Sequence, residues 1–293
     1  MLKGSIVALV TPFDKNGNID FNELKYLFDY HIQNGTDGIV VLGTTGESTT
    51  LTYEEEIEVV EFSVKYVNKR VPLIVGSGSN DTRIAIEKSI EYSRLGADYL
   101  LVITPYYNKT NKPGLIKHFE LIADAASCPI IMYNVPSRTG MNMSVDVVEK
   151  LSKHPNIYGI KEASGNLEYI KEISKFVSNN FKIYSGNDDI IVEMMKLGAS
   201  GVISVVNNIA PKQISRLCQL CLENKYEEAM VIQELLLDVI NHLFIEVNPI
   251  PVKAALNYLG FNVGGYRLPL YEMEEDNKNK LFEVLDRKKE VMY

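Results

Sequence analysis

Lys161 is the residue whose type and setting point most directly to chemistry. It stands in Ile157-Tyr-Gly-Ile-Lys-Glu-Ala-Ser164, an apolar, strand-like run. Alternation along a strand puts Lys161 on one face with Ile157 and Gly159, opposite Tyr158, Ile160 and Glu162. Burial on such a face disfavours the ammonium and lowers its pKa from about 10.4. A partly neutral amine attacks a carbonyl and forms a Schiff base. The alternative is a strand-end lysine whose ammonium snorkels to water.

Tyr133 closes another apolar run and begins Tyr133-Asn-Val-Pro-Ser-Arg-Thr-Gly140. If the two runs are neighbouring strands, about 4.8 Å apart, Tyr133 and Lys161 occupy corresponding positions. A phenol beside an amine can carry the protons that carbinolamine and enamine chemistry requires. A lone tyrosine there could equally bond its hydroxyl to backbone. Arg138 offers a carboxylate a two-pronged donor, or it is a surface loop arginine. In Gly43-Thr-Thr-Gly-Glu-Ser48, Thr44 and Thr45 suit a tight, hydroxyl-lined turn facing a carboxylate, or ordinary turn chemistry. Neither this loop nor Gly76-Ser-Gly-Ser-Asn80 carries the full pattern of a nucleotide-phosphate loop.

These residues need a frame, and the rest of the chain supplies one. Apolar or β-branched runs recur at residues 5–10, 38–42, 72–75, 99–104, 129–133, 157–160, 182–184 and 201–206, with helical patterns between most of them. Glycines follow three of the helical patterns, in Asn34-Gly-Thr-Asp-Gly38, Leu95-Gly-Ala-Asp-Tyr99 and Leu197-Gly-Ala-Ser-Gly201. Each suits the left-handed position that ends a helix just before a strand. Short strands alternating with helices imply a parallel sheet covered on both faces, and eight such units fit a closed α/β barrel, the (β/α)8 TIM barrel. Residues 1–224 are read as that barrel. Residues 225–293 are read as a C-terminal helical appendage, with helical patterns at 226–244, 252–259 and 272–291. In such a barrel function collects at the strands' C-terminal ends, where all the residues above fall.

Composition narrows the function classes. With 30 basic and 38 acidic residues the net charge is -8, which argues against a nucleic-acid surface. No stretch approaches the roughly 18 apolar residues of a membrane span. Three cysteines in 293 residues give no disulfide framework, so a reducing cytoplasm is expected. Cys218 and Cys221 fall on a helical apolar pattern and are read as core. The four histidines show no ligand spacing, and no metal is expected. Asp188-Asp189 is read as a helix N-terminal cap.

Three of these motifs, Gly43-Thr-Thr-Gly-Glu47, Tyr133-Asn-Val-Pro-Ser-Arg-Thr-Gly140 and Gly159-Ile-Lys-Glu-Ala-Ser164, occur in one order at the ends of the second, fifth and sixth strand-like runs. With Gly4-Ser-Ile-Val-Ala-Leu-Val-Thr-Pro-Phe13, the chain closely resembles the dihydrodipicolinate synthases of the Schiff-base pyruvate lyase superfamily over essentially its whole length. The resemblance implies condensation of pyruvate at Lys161 with L-aspartate 4-semialdehyde, without a cofactor, in lysine biosynthesis through diaminopimelate. It implies that Tyr133 shuttles protons through Thr44 to Tyr107. It also implies that Thr44 and Thr45 hold the pyruvate carboxylate and Arg138 that of the semialdehyde, and that backbone at Gly186 and Ile203 lines the pocket. The tyrosine matching Tyr107 serves a neighbouring subunit in this family, so a homo-oligomer is expected, usually a tetramer built from dimers. Ser48, Thr49, Tyr53, Glu56, Asn80, Ile84 and Tyr106 match the family's lysine-inhibition site. Tyr53 and Ile84 are misfits there, so weak or absent inhibition is expected. The alternatives are a sister lyase acting on N-acetylneuraminate or a 2-keto-3-deoxy sugar acid, and a non-catalytic oxo-acid binder.

Overall fold

A computed structural model describes residues 2–292. Eight parallel strands close into a barrel in chain order: β1 (Gly4–Ala8), β2 (Gly38–Val41), β3 (Leu73–Gly76), β4 (Tyr99–Ile103), β5 (Ile130–Asn134), β6 (Ile157–Glu162), β7 (Lys182–Ser185) and β8 (Gly201–Ser204). β8 pairs back onto β1, which removes both sheet edges. Helices α1 (Phe21–Gln33), α2 (Tyr53–Val67), α3 (Thr82–Leu95) and α4 (Lys112–Ala125) follow the first four strands. The short α5 (Pro136–Thr139) precedes α6 (Val145–Leu151), and α7 (Leu167–Ser174), α8 (Ile191–Lys196) and α9 (Pro211–Leu222) complete the ring. α10 (Tyr226–His242), α11 (Ile250–Tyr258) and α12 (Glu275–Met292) follow. All eight apolar runs are strands, although several ends differ from the sequence reading. β6 in particular continues through Lys161 to Glu162.

The helix-to-strand glycines behave as their chemistry requires. Gly35, Gly96 and Gly198 have φ of 81°, 111° and 99°, values that a side chain makes costly. Between barrel and helices lies the main core, in which Cys218 and Cys221 are buried with Ile214 and Leu217 of α9. A second apolar layer fills the barrel itself, including Ile6, Ala8, Val40, Ile74, Leu101, Ile131 and Ile203. Its bottom is closed by polar tips tied to the N-terminus: the Tyr184 hydroxyl donates to Leu2 O at 2.9 Å, and Leu2 N–H donates to the Tyr158 hydroxyl at 3.2 Å.

One expectation about β6 needs correction. Ile157 does not share a face with Lys161: it packs in the outer core, while Tyr158 packs against the inner layer. The cause is a register shift against β5, where Ile130 pairs with Ile157 but Ile131 pairs with Gly159. One extra residue reverses the alternation. Beyond it the phase is regular, and Tyr133 pairs with Lys161.

Candidate active site

Lys161 and Tyr133 lie side by side where β5 and β6 end. Lys161 is 6% exposed, and its Nζ stands 4.4 Å from the centre of the Tyr133 ring. Burial pulls the amine down to about 8; the Asp188 carboxylate pulls it upward and the Arg138 guanidinium adds to the depression. Burial likewise raises the Tyr133 phenol, against the opposing influence of Arg138 and the Thr44 hydroxyl. Behind the pair, Asn134 Nδ2 donates to Glu162 Oε2 at 2.7 Å, which locks the two strand ends in register from the outer side.

Space for the lysine comes from Gly186 at the end of β7. A Cβ there would stand 3.1 Å from Lys161 Cε and 2.6 Å from Ala163 Cβ. Its N–H donates to Glu162 O at 2.7 Å. The result is a cavity of about 480 Å³, within the range of small-molecule sites. Its walls include Lys161, Tyr133, Thr44, Thr45, Arg138 and Gly186. Two sequence-predicted residues lie elsewhere. Ile203 is fully buried in the inner barrel layer, outside the cavity wall, and Tyr107 is 92% exposed and away from it.

Arg138 owes its position to local chain chemistry. Pro136 opens the single turn of α5, and Gly140, with φ of 65°, closes it. The guanidinium then reaches Asn248 O at 3.0 Å. Asn248 also donates from Nδ2 to Thr45 Oγ1 at 3.0 Å, so one residue spans the arginine and the threonine turn. Asn248, Asn241 and Phe244 all line the cavity, so the region read as an appendage forms one of its walls. The only sequence hint was Asn248 set within Asn-Pro-Ile-Pro251, a proline-fixed segment between two helices.

The threonine turn is anchored by charge. Glu47 and Lys253 form an ion pair at 2.8 Å with both side chains fully buried. Lys253 also donates to Thr11 O at 3.1 Å and lies 4.3 Å from the Phe13 ring centre. Thr11 Oγ1 donates to Gly46 O at 2.6 Å, within the same turn. Burial depresses Lys253 while Glu47 holds it up. Sequence reading gave neither residue this role, because a lysine in a helix gives no sign of its partner. Removing one member of such a pair leaves a buried charge. Lys253→Met should therefore cost about 3–5 kcal/mol in urea unfolding, with most of it recovered in Glu47→Gln/Lys253→Met. A single variant as stable as the parent would contradict the anchoring role.

Asp188 corrects another expectation. It begins a 3-10 turn (Asp188–Ile190) whose N-cap position is Asn187, and its own Oδ1 makes no hydrogen bond among the described residues. Oδ2 instead accepts the N–H groups of Val205 and Val206 at 3.0 and 2.9 Å, beyond the end of β8.

A buried amine beside a phenol, facing hydroxyls and a guanidinium, is suited to Schiff-base chemistry on a small oxo acid. The comparisons agree with that chemistry. The model of the dihydrodipicolinate synthetase family matches residues 1–288. The 4-hydroxy-tetrahydrodipicolinate synthase of Clostridium novyi (strain NT) is 48% identical over 286 residues, covering 98% of this chain and 96% of its own. Dihydrodipicolinate synthase from Aquifex aeolicus superposes with a TM-score of 0.95 at 46% identity, covering 98% of each chain. The chloride-inhibited enzyme from Acinetobacter baumannii, complexed with pyruvate, superposes at 0.96 with 42% identity over 99% of each chain. With matching extent in sequence and in fold, this chain belongs to the dihydrodipicolinate synthetase family.

Proposed function

We propose that the chain is a 4-hydroxy-tetrahydrodipicolinate synthase. It condenses pyruvate with L-aspartate 4-semialdehyde through a Schiff base at Lys161, on the route through diaminopimelate to lysine. The observation that carries this reading is the buried amine, held down to about 8 and set against Tyr133 in a cavity that also presents Arg138. At pH 7 roughly a tenth of such an amine is neutral, against roughly 0.03% for an ordinary lysine. That is a gain of about 300-fold in nucleophile before any other effect.

In this reading Thr44 and Thr45 hold the pyruvate carboxylate, and backbone at Gly186 bounds the substrate, with Ile203 packed in the barrel layer outside the cavity wall. Tyr133 delivers a proton to the departing hydroxyl and takes one from the bound pyruvate. The enamine carbon then attacks the semialdehyde aldehyde, which becomes a hydroxyl and restores the imine at Lys161; the semialdehyde's own amino group adds to that imine carbon, closes the ring as a cyclic imine and expels Lys161 as the free amine. Turnover should be fast with L-aspartate 4-semialdehyde and absent with N-acetylmannosamine, measured as pyruvate consumption. The reverse preference would move the chain to the sugar-acid lyases.

Arg138 is assigned to the semialdehyde carboxylate. It is an exposed residue of the cavity wall, tied to Asn248, whereas Thr44 is half-buried and Thr45 buried. Arg138→Ala should raise KM for semialdehyde at least tenfold, on the scale of one lost charged hydrogen bond of about 1.5–3 kcal/mol, with KM for pyruvate little changed. Equal effects on both would sink the assignment.

Tyr107 is assigned to the site of a neighbouring subunit, as the outer end of the Tyr133–Thr44 proton path. It is 92% exposed and held at a φ of 66°. Asn80 Nδ2 donates to Tyr106 O at 3.2 Å, and Asn108 Nδ2 to Asn80 O at 3.0 Å, so the ring projects from a braced loop. Thr44 and Tyr133 line both the main cavity and a second one, of about 310 Å³, on the Tyr106 side. The functional unit is then at least a dimer, and a tetramer built from dimers in the form expected for the family. Mixing Tyr107→Phe subunits with Lys161→Ala subunits should restore activity in the hybrids. Hybrids as inactive as their parents would contradict the shared site.

Lysine inhibition should be weak or absent. In the second cavity the buried Glu56 carboxylate is already engaged by Lys88 Nζ at 2.6 Å and by the Tyr92 hydroxyl, also at 2.6 Å. An incoming ammonium would have to displace an internal one. Millimolar L-lysine should leave the initial rate unchanged; clear inhibition below that would refute the reading.

A further inference from the structure

Asp188 is a buried carboxylate with half of its capacity unused. It is 2% exposed and lines the same cavity as Lys161. Oδ2 is fixed by the Val205 and Val206 N–H groups, whereas Oδ1 makes no hydrogen bond among the described residues. Among those residues Lys161 forms no ion pair within 4.0 Å. Yet each group feels the other's field: Asp188 raises the amine, and Lys161 lowers the carboxyl. The carboxylate therefore stands near the amine but out of contact.

That spacing matters for a nucleophile that must be neutral first and cationic later. A contact ion pair would keep Lys161 protonated and unreactive. Without Asp188, the cation formed on dehydration would face only the transient Tyr133 phenolate and the bound carboxylate, with Arg138 close by. When the amine adds to the pyruvate ketone, the C–N bond forms and the carbonyl π electrons move to oxygen. The hydroxyl leaves as water, carrying one proton from nitrogen and one from the Tyr133 phenol. The nitrogen keeps one proton and a positive charge until a methyl proton departs to give the neutral enamine.

We propose that Asp188 is the counter-ion of this cationic imine, held beyond contact with the free amine by the Val205 and Val206 N–H groups just past β8. The proposal rests on the Schiff-base reading above. The other charged or titratable groups facing the pair are Tyr133 from β5, Arg138 from α5, Asp189 on the cavity wall and Cys218 from α9. Burial raises the Asp188 carboxyl, while the Ser204 hydroxyl, the two N–H groups and Lys161 oppose that rise.

Asp188→Asn keeps the shape and an acceptor oxygen but removes the charge, and its effects should have opposite signs. The acid limb of kcat/KM for pyruvate should move to lower pH, because the neighbour that raises Lys161 is gone. The fraction of enzyme trapped by borohydride at limiting pyruvate should fall, with the adduct equilibrium weakened about tenfold or more, the scale of one charge several ångströms away at an effective dielectric of about 20. General loss of structure would not move the limb downward. An unmoved or raised limb, or an unchanged adduct equilibrium, would overturn the proposal. A second test needs no variant: on the wild-type protein, the adduct of 2-carbon-13 pyruvate should lose its imine proton at a higher pH than the pyruvate imine of a simple alkylamine. Burial alone would lower that value, so an equal or lower one contradicts a counter-ion. Wild-type protein that traps no pyruvate would refute the Schiff-base reading itself. Trapping in the wild type with no change in the variant would refute only the role of Asp188.

Discussion

The structure depends above all on keeping one ammonium group out of water. Lys161 is the last residue but one of β6, and neighbouring strands, Gly186 and the Tyr133 ring close around it. Lowering its pKa from 10.5 to about 8 costs folding on the order of 3 kcal/mol at neutral pH. The penalty is present below about pH 8, where both folded and unfolded lysines are protonated, and fades as pH rises toward 10.5. The rest of the fold must offset that cost, and a barrel closed on itself, with apolar layers inside and outside, supplies the burial to do so.

Other polar features then follow from the same desolvated site. The threonine turn borders the cavity, and the buried Glu47–Lys253 pair, Thr11 and Asn248 brace it from three parts of the chain. Asn134 and Glu162 brace the Tyr133–Lys161 pair from behind. The polar groups on the wall are thus held before any substrate arrives, which is how an enclosed site stabilises charge without reorganising. The helices after the barrel belong to this scheme, since Asn248 and Lys253 both come from beyond α10.

Much of this was legible from the chain itself. Eight apolar runs, three glycine stops and the clustering of Thr44, Tyr133, Arg138 and Lys161 at strand ends led directly to a barrel and a carbonyl-attacking amine. Pairing of Tyr133 with Lys161 followed from the strand ends alone. The face of Ile157 did not, because a one-residue register shift leaves no mark in an apolar stretch. Asp188 resembled a helix cap because its true partners lie 17 and 18 residues onward, on the far side of β8. Thr45 with Asn248 and Glu47 with Lys253 meet across 203 and 206 residues, a distance at which local pattern carries no information. Sequence periodicity reports which face is buried, not which polar group waits inside.

The central claim is that Lys161, and no other lysine, is the nucleophile. The most direct measurement is borohydride reduction in the presence of pyruvate, followed by peptide mapping by mass spectrometry. A single stable adduct on Lys161, absent without pyruvate, is the result this account predicts. An adduct on another lysine, or one that forms equally in Lys161→Ala, would contradict it.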